Sequence, residues 1–162
     1  LKIIRVKTGN ADILAKALAE LDKKVGKVGW FKDSIYPDGT QVAEVAAQNE
    51  FGVPSRNIPA RPFMRPTIKE KQPEWVRIMA TESRKVLNGK TTATDALDLL
   101  GKRVVGQIKR TISRVWLPPL SPVTIANRKE RRANKKLTGN LNKPLIDTGQ
   151  MYTTIINVVE DE

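Results

Sequence analysis

Hydrophobic positions along the chain change period from stretch to stretch, and each period predicts an element. Residues 2–7, K-I-I-R-V-K, read as a short strand. Asn10 then stands as a cap before Ile13, Leu14, Ala17, Leu18 and Leu21, whose three- and four-residue spacing predicts a helix ending near Lys24. Residues 25–31 alternate and contain two glycines, which predicts a second strand with a bulge or a close backbone approach. The glycine pair lacks the G-K-[ST] or G-x-G-x-x-G continuation of a phosphate loop. Tyr36-Pro37-Asp38-Gly39 reads as a turn, with room for a further strand around Ser34–Tyr36, and Val42, Ala43, Val45, Ala46 and Ala47 start a helix.

Pro54, Pro59, Pro62 and Pro66 then break the helical pattern, so residues 52–68 are expected to form an extended arm. Along it Ile58, Phe63 and Met64 alternate with Arg56, Arg61 and Arg65. With Phe51, these seven residues are the candidate protein interface. Pro73 is expected near the start of the next helix, which buries Trp75, Ile78, Met79 and Val86 and closes at Asn88-Gly89. Thr94 is expected to cap the longest helix, with Asp95 and Asp98 in its first turn and its end at Trp116 or Leu117. Its apolar stripe is Leu97, Leu100, Val104, Ile108, Ile112 and Val115. Pro118-Pro119 ends that helix, residues 121–143 read as a basic surface loop with a brief helical turn, and T-I-I-N-V-V-E reads as a last strand. The expected fold is a single α+β domain over residues 1–162: a small mixed or antiparallel sheet packed against two to three helices, with the proline-rich arm and the basic loop attached.

Composition narrows the chemistry. Cysteine and histidine are both absent, which removes disulfides, thiolate nucleophiles, Ser-His pairs and the commonest zinc ligand. Asp12, Glu20, Asp22, Asp33, Asp38, Glu44 and Glu50 form no D-x-D cluster, so neither catalysis nor a cofactor is expected. No window is long and apolar enough for a membrane span or a signal peptide.

The net charge of +12 is regional: residues 61–120 hold 13 cations against 5 acids, and residues 1–60 hold 9 against 7. Arg103, Arg110 and Arg114 stack on one face of the long helix, widened by Lys102 and Lys109, with no acid between Gly101 and Leu117. Arg128, Lys129, Arg131, Arg132, Lys135 and Lys136 oppose only Glu130 in the following segment. These residues are candidates for facing DNA or an acidic partner, or for a solvated face. No zinc finger, helix-turn-helix or aromatic stacking platform accompanies them, so any DNA contact is expected at phosphates without sequence preference.

Leu145-Ile146-Asp147-Thr148-Gly149 looks like the D-T-G loop of retroviral aspartic proteases, but the helices upstream do not suit that all-strand enzyme. A turn is expected instead, with Asp147 or Thr148 bonding backbone and Gly149 left-handed.

Three stretches carry a family resemblance: Ala47 to Gly52 ending E-F-G, I-P-A-R-P-F-M-R-P-T from Ile58 to Thr67, and P-L-I-D-T-G-Q-M from Pro144 to Met151. The chain resembles the tail-component and tail-completion family of long-tailed bacteriophages, that of the phage lambda minor tail protein Z and the virion-morphogenesis proteins. The resemblance implies a virion structural protein of the neck or tail, assembled in the host cytoplasm and acting in tail completion and head-to-tail joining. It implies copies in a ring or plug against connector and tail-tube or tail-terminator proteins. The rival expectation is a non-specific DNA-binding accessory protein, which rests on the basic excess alone.

Overall fold

A computed structural model describes residues 8–135 and 140–161. It is an α+β protein with six helices and a two-stranded antiparallel sheet among those residues. In chain order the elements are α1 (Thr8–Asp22), β1 (Lys24–Gly29), α2 (Val42–Phe51), a 3-10 turn (Pro54–Arg56), α3 (Met64–Leu87), α4 (Ala93–Arg114), α5 (Pro122–Lys135), α6 (Gln150–Thr153) and β2 (Ile156–Asp161). The strand expected at residues 2–7 lies outside the described residues. Asn10 lies inside α1 instead of capping it.

The chain divides into two compact units. Unit 1 gathers Leu1–Val28, Lys71–Val105 and Ile156–Glu162. Its small core is Ala17, Val86, Ala93 and Ala96, with Leu21 and Leu87 packed against it. β1 pairs with β2, and ion pairs of Lys27 with Glu160 and of Lys24 with Asp161 (2.7 Å) link the two strands. Gly101 permits β2 to approach α4, because a Cβ there would fall 2.6 Å from the Asn157 Cβ. The Asn157 amide uses that closeness to donate to Asp98 Oδ1 at 2.8 Å.

The cap of α4 is Thr92, not Thr94. Its Oγ1 accepts from the Asp95 N–H at 3.1 Å and donates to the Asp95 carboxylate at 2.7 Å, satisfying one of the unpaired donors of the first turn. The end expected at Asn88-Gly89 is present: Gly89 is left-handed (φ 67°), and Lys90 N donates to Lys85 O at 2.8 Å.

Unit 2 gathers Gly29–Glu70 and Gly106–Ile155. Its buried side chains include Val42, Phe63, Ile108, Ile112 and Ile155. Trp30 packs edge-on to Phe63, with ring centroids 5.9 Å apart, and its indole N–H donates to Met151 O at 2.8 Å. The Tyr36–Gly39 turn forms as expected, with Gly39 N on Tyr36 O at 2.9 Å; Ile35 contributes one bridge to Gln41 and no further strand.

The extended arm is largely replaced. Val53 and Ile58 pair around the 3-10 turn, and α3 starts at Met64, well before Pro73. Pro66 is compatible with this start because the first turn of a helix has no partners for its N–H groups. The expected basic loop over residues 121–143 is largely replaced too: α5 is a 14-residue helix from Pro122 to Lys135.

Candidate functional site

Glu50 organises the former arm. It is 4% exposed, yet its carboxylate accepts the backbone N–H groups of Phe63 (2.7 Å), Met64 (2.8 Å) and Arg65 (3.0 Å). Arg65 adds its Nε on the same carboxylate at 2.9 Å and an Nη2 bond to Glu50 O at 2.8 Å. A negative charge thus sits on the amides that open α3, where the helix dipole favours it. Desolvation pushes the Glu50 pKa upward, but the three backbone donors and Arg65 outweigh it, and the net shift is downward.

Gly52 carries the chain past this point with φ 74°; a Cβ would meet Ala60 N at 2.7 Å. Arg61 is buried and donates to Pro118 O and Pro119 O, each at 2.7 Å, and its burial lowers its pKa. Of the interface candidates, then, Arg61 and Phe63 are interior, Ile58 and Met64 are half-buried, and Arg65 is bound to Glu50. Phe51 and Arg56 are exposed, and the Arg65 guanidinium lies 4.8 Å above the Phe51 ring.

The cations of α4 are met more fully than the absence of acids in their own segment suggested. Arg103 is bound by Glu74 of α3 at 2.8 Å, and Lys102 by Asp98 one turn earlier at 2.7 Å. The Lys102 pKa is raised and that of Asp98 lowered, in both cases chiefly by the hydrogen bond to the other. Lys109 lies 5.6 Å from the Tyr152 ring centroid. Arg110 and Arg114 are exposed and make no ion pair among the described residues.

α5 turns part of its charge inward. Arg128 and Arg132, four residues apart on one face, are buried, and Lys129 and Arg131 are exposed. Lys135 is the last residue of the helix, and Lys136 lies outside the described residues. Arg128 Nη1 donates to Lys143 O at 2.7 Å and to Leu141 O at 3.2 Å. Asp147 is the shared counter-ion: Arg131 Nη2 reaches Oδ2 at 2.6 Å, while Arg128 Nε and Arg132 Nη2 stand 3.6 Å from Oδ1. Arg132 Nη2 also donates to Asp147 O at 2.9 Å. Burial first, then the neighbouring arginines, lower the Arg128 pKa against the pull of Asp147. The D-T-G carboxylate is therefore engaged by guanidiniums.

The expected turn surrounds it: Leu145 and Gly149 are left-handed, and Gln150 N donates to Thr148 Oγ1 at 3.3 Å. A cleft of about 310 Å3 opens beside the cluster, lined by Arg128, Arg131, Asp147, Tyr36 and Asp38 over an apolar floor that includes Val45 and Met151. Burial first, then Asp147 and Asp38, raise the Tyr36 pKa.

Sequence reasoning missed Glu50 as a helix anchor, Arg61 as a carbonyl clamp, and Lys143. Lys143 Nζ donates to Ser113 O (2.5 Å) and Val115 O (3.0 Å) at the end of α4 and lies 3.7 Å from the Trp116 ring centroid. A cation suits the last carbonyls of a helix, but Lys143 lies 28 and 30 positions beyond them, so the sequence offered no signal for it. Among the described residues no group of acids converges as a metal site, and no helix is long and apolar enough to cross a membrane. Comparison with protein families, with curated proteins and with solved structures gave no match.

Proposed function

We propose that this chain is a structural protein of the phage neck or tail, working in tail completion and head-to-tail joining through assembly with copies of itself and with neighbouring virion proteins. The proposal starts from the resemblance in the Glu50, Ile58–Thr67 and Pro144–Met151 stretches. The structural observation that carries it is large apolar side chains in unit 2 left in water: Phe51 is 64% exposed, Trp116 51%, Leu117 76% and Val123 68%. Apolar groups of this size, interspersed with cations, suit a surface covered on assembly.

The alternative of a DNA-binding accessory protein has less support than net charge suggested. Arg61, Arg128 and Arg132 are interior, and Lys102, Arg103 and Arg131 are paired with carboxylates. Electron microscopy of particles from a phage deleted for this chain tests the proposal. The expected result is filled heads and finished tails that do not join; normal virions would overturn it. In a salt titration the assembly reading expects weak duplex binding, whereas a DNA-binding function requires tight binding with a steep salt dependence.

A further inference from the structure

The arginine cluster of unit 2 has more donors than its one carboxylate can serve. Arg128, Arg131 and Arg132 converge on Asp147, yet only Arg131 is within hydrogen-bonding distance of the carboxylate oxygens. Arg132 is 7% exposed, and its Nη1 has no acceptor among the described residues. A guanidinium nitrogen is a donor only, and a buried donor without an acceptor is costly. What Arg132 Nη1 lacks is an acceptor, and three guanidiniums around one carboxylate leave a local excess of positive charge that favours an anionic one. Arg128 and Arg131, though not Arg132, line an open cleft, so an anion has a way to reach those two from solvent. Thr148 and Tyr36 line the same cleft and add hydroxyl donors; Asp38, also in the lining, opposes an anion and limits its charge.

We propose that this cleft is an oxyanion site, in which a carboxylate or a phosphate group enters beside Asp147 and is held by Arg131 and Arg128. Guanidinium forks match both groups, since each offers paired oxygens. An acidic side chain of a bound protein and free phosphate are the two sources of this chemistry. The inference stands without the neck assignment, because it uses only the cluster and its cleft.

The test is calorimetric titration of the full chain with inorganic phosphate and separately with acetate, at constant ionic strength. Saturable binding of either ion is expected. Phosphate binding alone names a phosphate ligand, and comparable binding of acetate names a carboxylate. Arg131→Gln, at an exposed position, should weaken binding at least tenfold, while Lys129→Gln, an equal loss of charge on the same helix, should leave it unchanged. Asp147→Asn removes the resident competitor and should tighten binding; if that variant does not fold, the Arg131 and Lys129 comparison decides alone. Absence of saturable binding to both ions, or equal weakening by Arg131→Gln and Lys129→Gln, would overturn the proposal.

Discussion

Glu50 joins the last turn of α2 to the first turn of α3 through a single carboxylate. Removing it by Glu50→Ala takes the acceptor from three amides at the start of α3, at about 1–2 kcal/mol each, so the variant should lose about 3–5 kcal/mol in denaturant unfolding. Glu50→Gln keeps an acceptor oxygen but loses the charge, and should lose about 1.5–3 kcal/mol. The pH dependence follows from the lowered pKa of the folded state. The stabilisation is complete above the unfolded glutamate value of about 4.3 and disappears as pH falls through the lower folded value. Parent stability should therefore fall in acid, and Glu50→Gln should flatten that fall. At this scale the sequence is least legible. Arg61 reads as one more cation among prolines, because its acceptors, the Pro118 and Pro119 carbonyls, lie 57 and 58 positions away.

The stripe of α4 was legible because burial follows a period: Ile108 and Ile112 are interior, with Leu97, Leu100, Val104 and Val115 half-buried, whereas in α1 Ala17 is buried but Leu14 and Leu18 are exposed. Helix starts were less so. Thr92 and Thr94 are equally good caps by residue type, and only the Asp95 N–H geometry separates them. Thr92→Ala should cost about 1 kcal/mol and Thr94→Ala much less, measured by denaturant midpoint. Pro66 and Pro73 misled differently: Pro66 lies in the first turn of α3, where a missing N–H is tolerated, whereas Pro73 lies inside the helix and not near its start. α5 reads as a loop when its cations are taken as solvated, whereas Arg128 and Arg132 face carbonyl oxygens and Asp147. Limited digestion with an arginine-specific protease should cut at exposed Arg56 and spare buried Arg61; rapid cleavage at Arg61 would show that the segment leaves the interior.

For the whole molecule, net charge was readable and its distribution was not, because burial and ion pairing remove cations from the surface without altering their number. The fold class came through, since a small sheet with several helices follows from element type alone. The two compact units are interleaved in sequence, a threading in which the three segments of unit 1 are separated by the two of unit 2. That threading has a temporal consequence. Lys27 of β1 and Glu160 of β2 are 133 positions apart, so a ribosome adding about 5–20 residues per second keeps β1 waiting on the order of 10 s for its neighbour. During that interval the nascent β1 has an unsatisfied edge, open to strands of other chains. Its sequence, K-V-G-K-V-G, places two lysines and two glycines along that edge, a composition that resists intermolecular pairing until β2 is made.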